Sequence, residues 1–257
     1  MVSLPEEIEY EIFKLATCEA QKVGSGLLNS TLVAHRVNNW VRSFVLRFSI
    51  VAPFQPDKTF LKALQLLPPS CLQQNVASLC ILSGTFESDA QLALERCTNT
   101  ESLAYWTATP APQTRSLIQA LPLRRLSVGV KLFSELCKES HLNRFVHSLR
   151  ELALIVGPEK DNDTEVPNFS AFPNLTRFVV SAVAYNPLTL TLVNTILDTV
   201  QCRAVILYGD FSSDIFDQAT FIADHRFGFY HNLDGSFRKW EALEKTNWEG
   251  FWTHVEQ

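Results

Sequence analysis

Hydrophobic and polar positions follow a repeated pattern after Pro53. A segment of the form apolar-x-x-apolar-x-apolar occurs six times, with a threonine in one apolar position, and the starts are separated by 24, 23, 26, 26 and 27 residues. Alternation in so short a segment predicts a β-strand with one buried face. Helical spacing predicts connecting helices at 57–67, 88–97, 114–121, 132–146 and 188–200, whereas 157–173, with three prolines, is expected to be a solvent loop. The six segments start at Val76, Thr100, Leu123, Leu149, Leu175 and Cys202.

A period of 23 to 27 residues is the length of a leucine-rich repeat. Strands joined in this way by helices run parallel. We therefore predict an α/β fold, a short curved leucine-rich-repeat-like solenoid with a parallel sheet of about six strands and helices outside. The predicted core positions of the strands are Leu79, Ile81, Leu103, Tyr105, Leu126, Val128, Leu152, Leu154, Phe178, Val180, Val205 and Leu207.

The loops after these strands lack the polar residue of a regular repeat. Where such a repeat carries Asn or Cys, this chain has Gly84, Ala108, Lys131, Gly157, Val183 and Asp210. Buried loop backbone must still be hydrogen-bonded. We therefore expect other groups to satisfy these loops, and an irregular arc.

The first ~50 residues have helical rather than strand periodicity. Leu4, Ile8, Ile12 and Leu15 recur at helical spacing, after Pro5 in the first turn. A glycine-rich break at 24–26 follows. A second helical stripe then comprises Val33, Val37, Trp40, Val41, Phe44 and Phe48. We predict two domains, a helical head at 1–52 and a repeat domain at 53–257.

The head resembles an F-box. The resemblance lies in Leu4-Pro5-Glu6-Glu7-Ile8 with Ile12-Phe13, and in Leu32-Val33 through Arg36-Val37 to Trp40. The chain is most similar to fungal F-box-like proteins with degenerate leucine-rich repeats. It departs from the motif at 17–26, where the usual acidic-proline turn is absent.

The resemblance implies a substrate receptor of an SCF-type ubiquitin ligase, an intracellular assembly of a Skp-type adaptor with a cullin. The head would dock the adaptor through Leu4, Pro5, Ile8, Ile12 and Trp40, and the repeats would hold an unknown protein target. Two alternatives stay open. One is a scaffold protein without a ubiquitin-ligase role, whose head only caps the solenoid. The other, less favoured, is an enzyme built on a solenoid.

The strand residues between the core positions face the other side of the sheet. This set is small and apolar, and its large or charged members include Trp106, Arg125, Glu151, Arg177 and Tyr208. Aromatic residues and Arg are the usual anchors of interfaces. We expect these five residues to bind the target. The alternative is that the chain's own tail, from about Phe211 onward, covers this face.

The C-terminal region is aromatic. Three of the five Trp lie at 240, 248 and 252, after a run of Phe residues. A repeat array needs its open end covered. We therefore expect an aromatic C-terminal cap in preference to an aromatic binding surface.

Composition excludes several functional classes. The 257 residues carry a formal net charge of -5, which disfavours nucleic acid as a partner. Only 9 residues are Gly, which disfavours a glycine-rich phosphate loop. No apolar run approaches the ~18 residues of a membrane span, so no membrane partner is expected. The scattered cysteines, none in a Cys-x-x-Cys pair, favour a reduced intracellular protein.

No catalytic or metal-binding motif is present. The six His are dispersed, and no His-Glu-x-x-His or Gly-x-Ser-x-Gly sequence occurs. We therefore predict no catalytic residue, no metal and no cofactor, and that the protein is not an enzyme.

Overall fold

A computed structural model describes residues 5–23, 42–53, 59–107, 110–139, 144–157, 166–182, 187–199, 201–209, 224–231 and 252. The fold is α/β, with one parallel sheet of eight strands whose order in the sheet is their order in the chain. The strands are β1 (Phe48–Val51), β2 (Ser78–Ile81), β3 (Ser102–Tyr105), β4 (Arg125–Gly129), β5 (Glu151–Val156), β6 (Arg177–Ala182), β7 (Ala204–Gly209) and β8 (Phe227–His231).

Helices connect most of these strands. Helix α1 (Glu6–Val23) precedes β1. The helices between strands are, in chain order, α2 (Thr59–Leu66), α3 (Pro69–Asn75), α4 (Glu87–Arg96), α5 (Pro112–Ala120), α6 (Val130–Glu139), α7 (Arg144–Ser148) and α8 (Pro187–Thr199). A short 3-10 helix at Phe169–Ala171 lies between β5 and β6. Residues 42–47 are helical and lead directly into β1.

The repeated sequence pattern occupies equivalent places in the sheet. Leu79, Leu103 and Leu126 are neighbours in one register row, and the row continues through β5, β6 and β7. All twelve predicted core positions are at most 2% exposed. Burial of such side chains against helices is the main source of stability in a sheet of this kind. The prediction of a parallel sheet and of its core face is confirmed.

The sheet is longer than predicted at both ends. β1 begins at Phe48, which we predicted as the end of a helical stripe, and pairs with β2. Phe48 and Ile50 lie on one face and Val51 on the core side, an alternation that suits a strand. β8 pairs with β7 within the predicted aromatic cap. Neither segment has the apolar-x-x-apolar-x-apolar pattern at the spacing used to find the other six, so the sequence did not predict these strands.

A cluster of phenylalanines fills the core beneath β5 and β6. Phe133 of α6 contacts Phe169 and Phe172, with ring centroids 6.0 Å and 5.4 Å apart. Phe169 meets Phe178 of β6 edge to face at 5.6 Å. Edge-to-face and offset pairs are the favoured aromatic geometries. In the described part of the connection between β5 and β6, these rings and the short 3-10 helix cover this stretch of the core.

Polar side chains link successive connections at the ends of their helices. Arg96 at the end of α4 donates to the carbonyl of Leu64 at 2.7 Å and 3.0 Å and to that of Leu67 at 3.2 Å. Glu87 accepts a hydrogen bond from the backbone N–H of Ala111, which precedes α5, at 3.1 Å. These bonds satisfy helix ends that have no partner within their own helix.

The loop after β2 depends on a glycine. Gly84 has a φ of 81°. Side chains with a Cβ are strained in this left-handed region. The loop is also held by Thr85, whose hydroxyl donates to the Val51 carbonyl at 3.1 Å. This side-chain hydrogen bond joins β1 to the loop after β2, in addition to the backbone hydrogen bonds between the two strands.

Candidate protein-interaction surfaces

Helix α1 carries an exposed apolar stripe, which we call the α1 stripe and define as Ile8, Ile12 and Leu15. Their exposed fractions are 49%, 47% and 65%. Because they are spaced by four and three residues, they lie on one side of the helix. The backbone N–H of Ile8 donates to the Pro5 carbonyl at 3.1 Å, so exposed Pro5 immediately precedes the helix and accepts its first hydrogen bond.

The stripe is not the only apolar part of α1. Tyr10 contacts Phe44, with ring centroids 5.3 Å apart. α1 therefore packs on the helical residues that precede β1 and leaves the α1 stripe on its surface. Leu4 and Trp40, two of the predicted adaptor-binding residues, lie outside the described residues. Leu15 was not among the predicted adaptor residues, although its helical spacing from Ile8 and Ile12 places it with them.

The sheet face opposite the core, here called the second face, holds the predicted target-binding residues. Its side chains are small, and several are buried, among them Cys80, Ala104, Ser127, Ala204 and Ile206. Trp106 is half-buried, and its Nε1 donates to Ser127 Oγ at 2.9 Å. Tyr208 lies in β7, opposite Ser181 of β6; its side chain is outside the described part.

Three charged residues cross the middle of the second face in one register row. Arg125, Glu151 and Arg177 are neighbours on β4, β5 and β6. Arg177 Nη1 lies 3.1 Å from Glu151 Oε1, and the two side chains are 24% and 18% exposed. Removing either partner of so shielded a pair costs more than removing a surface charge. The row is thus structural as well as a candidate binding feature.

Trp252 from the C-terminal region lies on the second face. It is 1% exposed and belongs to one apolar cluster with Val179, Ala204 and Ile206. The guanidinium of Arg177 is 5.3 Å from the centre of its ring, in cation–π range. At this point the chain's own C-terminal region covers the predicted target-binding face. The aromatic composition of the C-terminal region did not predict where Trp252 lies, because a single Trp is not part of a periodic pattern.

Two cysteine thiols are shielded from solvent. Burial raises the pKa of the Cys97 and Cys137 thiols to about 12, so both are neutral and unreactive at neutral pH. Among the residues that the structure describes, no group of three His, Cys, Asp or Glu is placed to hold a metal ion. In the same part of the chain, no helix has the length and apolar character of a membrane span.

Comparisons with protein-family models, curated proteins and solved structures return no match.

Proposed function

We propose that this protein is a non-enzymatic interaction protein that acts inside the cell as the substrate receptor of an SCF-type ubiquitin ligase. The F-box-like head docks a Skp-type adaptor, which joins it to the cullin. The β–α units form a leucine-rich-repeat-like solenoid that holds a protein target. Two features support this proposal: the α1 stripe and the order of the sheet.

The α1 stripe is the observation that carries the adaptor role. Water contact with three large aliphatic side chains on one helix face is unfavourable, and burying them in a partner's groove removes that cost. Docking of an apolar helix face into a groove is a common recognition mode. The stripe contains Ile8 and Ile12, two of the residues to which the F-box resemblance gives this role.

The repeat reading is supported by the sheet order and by the even register. Each strand pairs with the next in the chain, and paired residues are 22 positions apart for Val205 with Phe227 and 30 apart for Phe48 with Ser78. Stacked units that contact only their neighbours have this arrangement. Extended surfaces built from such units commonly bind other proteins.

A scaffold role without ubiquitin-ligase activity is the second candidate. The contact between Tyr10 and Phe44 favours it, because this contact packs α1 against the helical residues that lead into the first strand. A covering helix needs no adaptor. The two roles differ in what the α1 stripe does.

Direct binding to a purified Skp-type adaptor tests the proposal. We expect the full chain to bind, and the variant Ile8→Asp/Ile12→Asp to lose at least about 100-fold in affinity, since each substitution places a charge in an apolar contact. Isothermal titration calorimetry measures the affinity. Circular dichroism verifies that each variant is folded.

The matched control is Leu66→Asp/Phe86→Asp. Leu66 and Phe86 are 81% and 68% exposed and lie outside α1. This variant should bind the adaptor as the wild type does. Absence of wild-type binding, or an equal loss in the control, would favour the scaffold role.

A further inference from the structure

The edge of the sheet where the strands begin is strongly basic, although the whole chain has a formal net charge of -5. An open groove of about 600 Å³ runs along this edge. Two glutamates, Glu101 and Glu151, also line it. We call this groove the arginine edge; its six arginines are Arg47, Arg124, Arg125, Arg150, Arg177 and Arg203.

Backbone hydrogen bonds hold these arginines in place. The ladder continues one residue before the strands: Arg124 N donates to Glu101 O at 2.8 Å, and Arg150 N donates to Arg124 O at 2.9 Å. Thr176 and Arg203 extend the same row, with bonds of 3.0 Å and 2.7 Å. Neighbouring strands in a sheet are roughly 4.8 Å apart. Arg124 and Arg203 are three strands apart in this row, so their backbones are separated by roughly 14 Å.

Among the residues that the structure describes, carboxylates neutralise only part of this positive charge. Glu151 pairs with Arg177, and Glu101 lies 3.5 Å from Arg124. Within the described part of the chain, no carboxylate pairs with the exposed side chains of Arg150 and Arg203. Arg124 and Arg150 are direct neighbours, and like charges in that position destabilise a sheet. A bound anion would relieve this repulsion.

We propose that the arginine edge binds a short acidic peptide segment of a partner protein, laid across the strands. Guanidinium groups bind carboxylate and phosphoryl oxygens in a two-pronged geometry. The distance of roughly 14 Å matches about four residues of extended chain at roughly 3.3 Å each. The negative net charge of the protein opposes the approach of a long polyanion, which favours a short segment over nucleic acid.

This site deepens the proposed function, because it names the chemistry of the target segment. The proposal rests on that function in one respect: the peptide's parent protein is taken to be the target. The arginine edge is separate from the α1 stripe. Its test needs no adaptor, so either proposal can fail while the other stands.

The experiment measures fluorescence anisotropy of labelled peptides of about ten residues with the full chain. The peptides share serine at alternate positions and carry glutamate, phosphoserine or glutamine at the others. We expect the glutamate or the phosphoserine peptide to bind, more weakly as salt rises, and the glutamine peptide not to bind. The stronger of the two shows whether carboxylate or phosphoryl oxygens are preferred.

The decisive variant is Arg150→Glu/Arg203→Glu, which should lower affinity at least about tenfold through the loss of two charge-assisted contacts. The control Lys62→Glu/Lys131→Glu makes the same change in net charge at exposed helix positions and should stay within about twofold. If the first variant does not fold, Arg150→Gln/Arg203→Gln replaces it. Glu151→Gln, which releases Arg177, should tighten binding a few fold.

Three results would overturn the proposal. The first is wild-type protein that binds neither anionic peptide better than the glutamine peptide. The second is an equal loss of affinity in the two charge-reversed variants, which would assign binding to net charge. The third is tighter binding of single-stranded oligothymidine than of either acidic peptide, which would make the groove a nucleic-acid site.

Discussion

Each strand presents one set of side chains to the helices and another to the second face, and the two sets differ in size. In β3, Tyr105 lies on the core side and Ala104 on the second face. In β6, Phe178 lies on the core side and Val179 on the second face. The core side is continuous with the buried residues of the helices. The second face is a thin apolar layer that includes Trp252.

The difference means that the two faces of the same strands contribute unequally to stability. Large interlocking side chains on the core side supply most of the apolar burial and therefore most of the stability. Small side chains on the second face allow another surface to approach the backbone closely. In this structure Trp252 makes that approach, beside the charged row of Arg125, Glu151 and Arg177. The second face therefore contributes less to stability than the core side does.

The largest expected effect compares adjacent residues of β6. Phe178→Ala should lower the free energy of unfolding by about 3–5 kcal/mol, because it leaves a cavity among packed rings. Val179→Ala should lower the free energy of unfolding by about 1–2 kcal/mol, since it removes two buried methyl groups from the thinner second face. Urea unfolding followed by circular dichroism measures both. Equal losses would mean that the two faces contribute alike.

A smaller effect is expected for Trp252→Ala. The substitution should lower the free energy of unfolding by about 1–3 kcal/mol, of which roughly 0.5–1 kcal/mol comes from the contact with Arg177. Chymotrypsin should then cleave the C-terminal region faster than in the wild type, while the sheet keeps its circular dichroism. Trp106→Ala, on the same face, is the control and should leave cleavage unchanged. An unchanged cleavage rate for Trp252→Ala would mean that the tail is held elsewhere.

The smallest effect concerns the turn that precedes β8, the last strand of the described part of the sheet. Hydrogen bonds from Arg226, at 2.6 Å to Oδ2 and 3.0 Å to Oδ1, hold the pKa of Asp224 well below its usual range. Arg226 also donates to the Leu197 carbonyl of α8 at 2.7 Å. Since the folded pKa is depressed, the stabilisation is complete above the unfolded value of about 3.9 and is lost as the pH falls below it.

Asp224→Asn isolates this contribution. The wild type should unfold at a slightly higher urea concentration than the variant at neutral pH, and the difference should shrink between about pH 4 and pH 2. Both proteins are followed by circular dichroism over this range. A difference that is constant with pH, or that grows in acid, would assign the stabilisation to something other than the Asp224 carboxylate.

The sequence alone was a good guide to the sheet and a poor guide to its surfaces. Six strands and twelve core positions could be predicted, because burial on one side of a strand imposes an alternation that recurs with the period. β1 at Phe48 was misread, because a short apolar strand next to a helix also fits helical spacing. The arginines at 124, 150 and 203 each follow the first residue of a repeated segment, so the repeat alignment already implied that they share one row. The pattern of apolar positions gave no reason to single them out, because it carries no information on charge.

The position of Trp252 was beyond sequence reasoning for a different reason. The alternative that the tail covers the second face was foreseen, but the contact with Arg177 joins residues 75 positions apart without any periodic signal. Long-range contacts of single residues depend on the shape of the finished surface. Adaptor binding by Pro5, Ile8 and Ile12, and target binding by Trp106 and Arg125, stay predictions.

The agreement between strand order and chain order has a consequence for how this protein can change in length. Because every ladder joins consecutive strands, loss of one unit, such as residues 102–124, would place β4 beside β2 and leave the other ladders intact. Duplication of a unit would extend the sheet in the same way. A gene for such a chain can gain or lose whole units in one step. The arginine edge would then lengthen or shorten with the sheet.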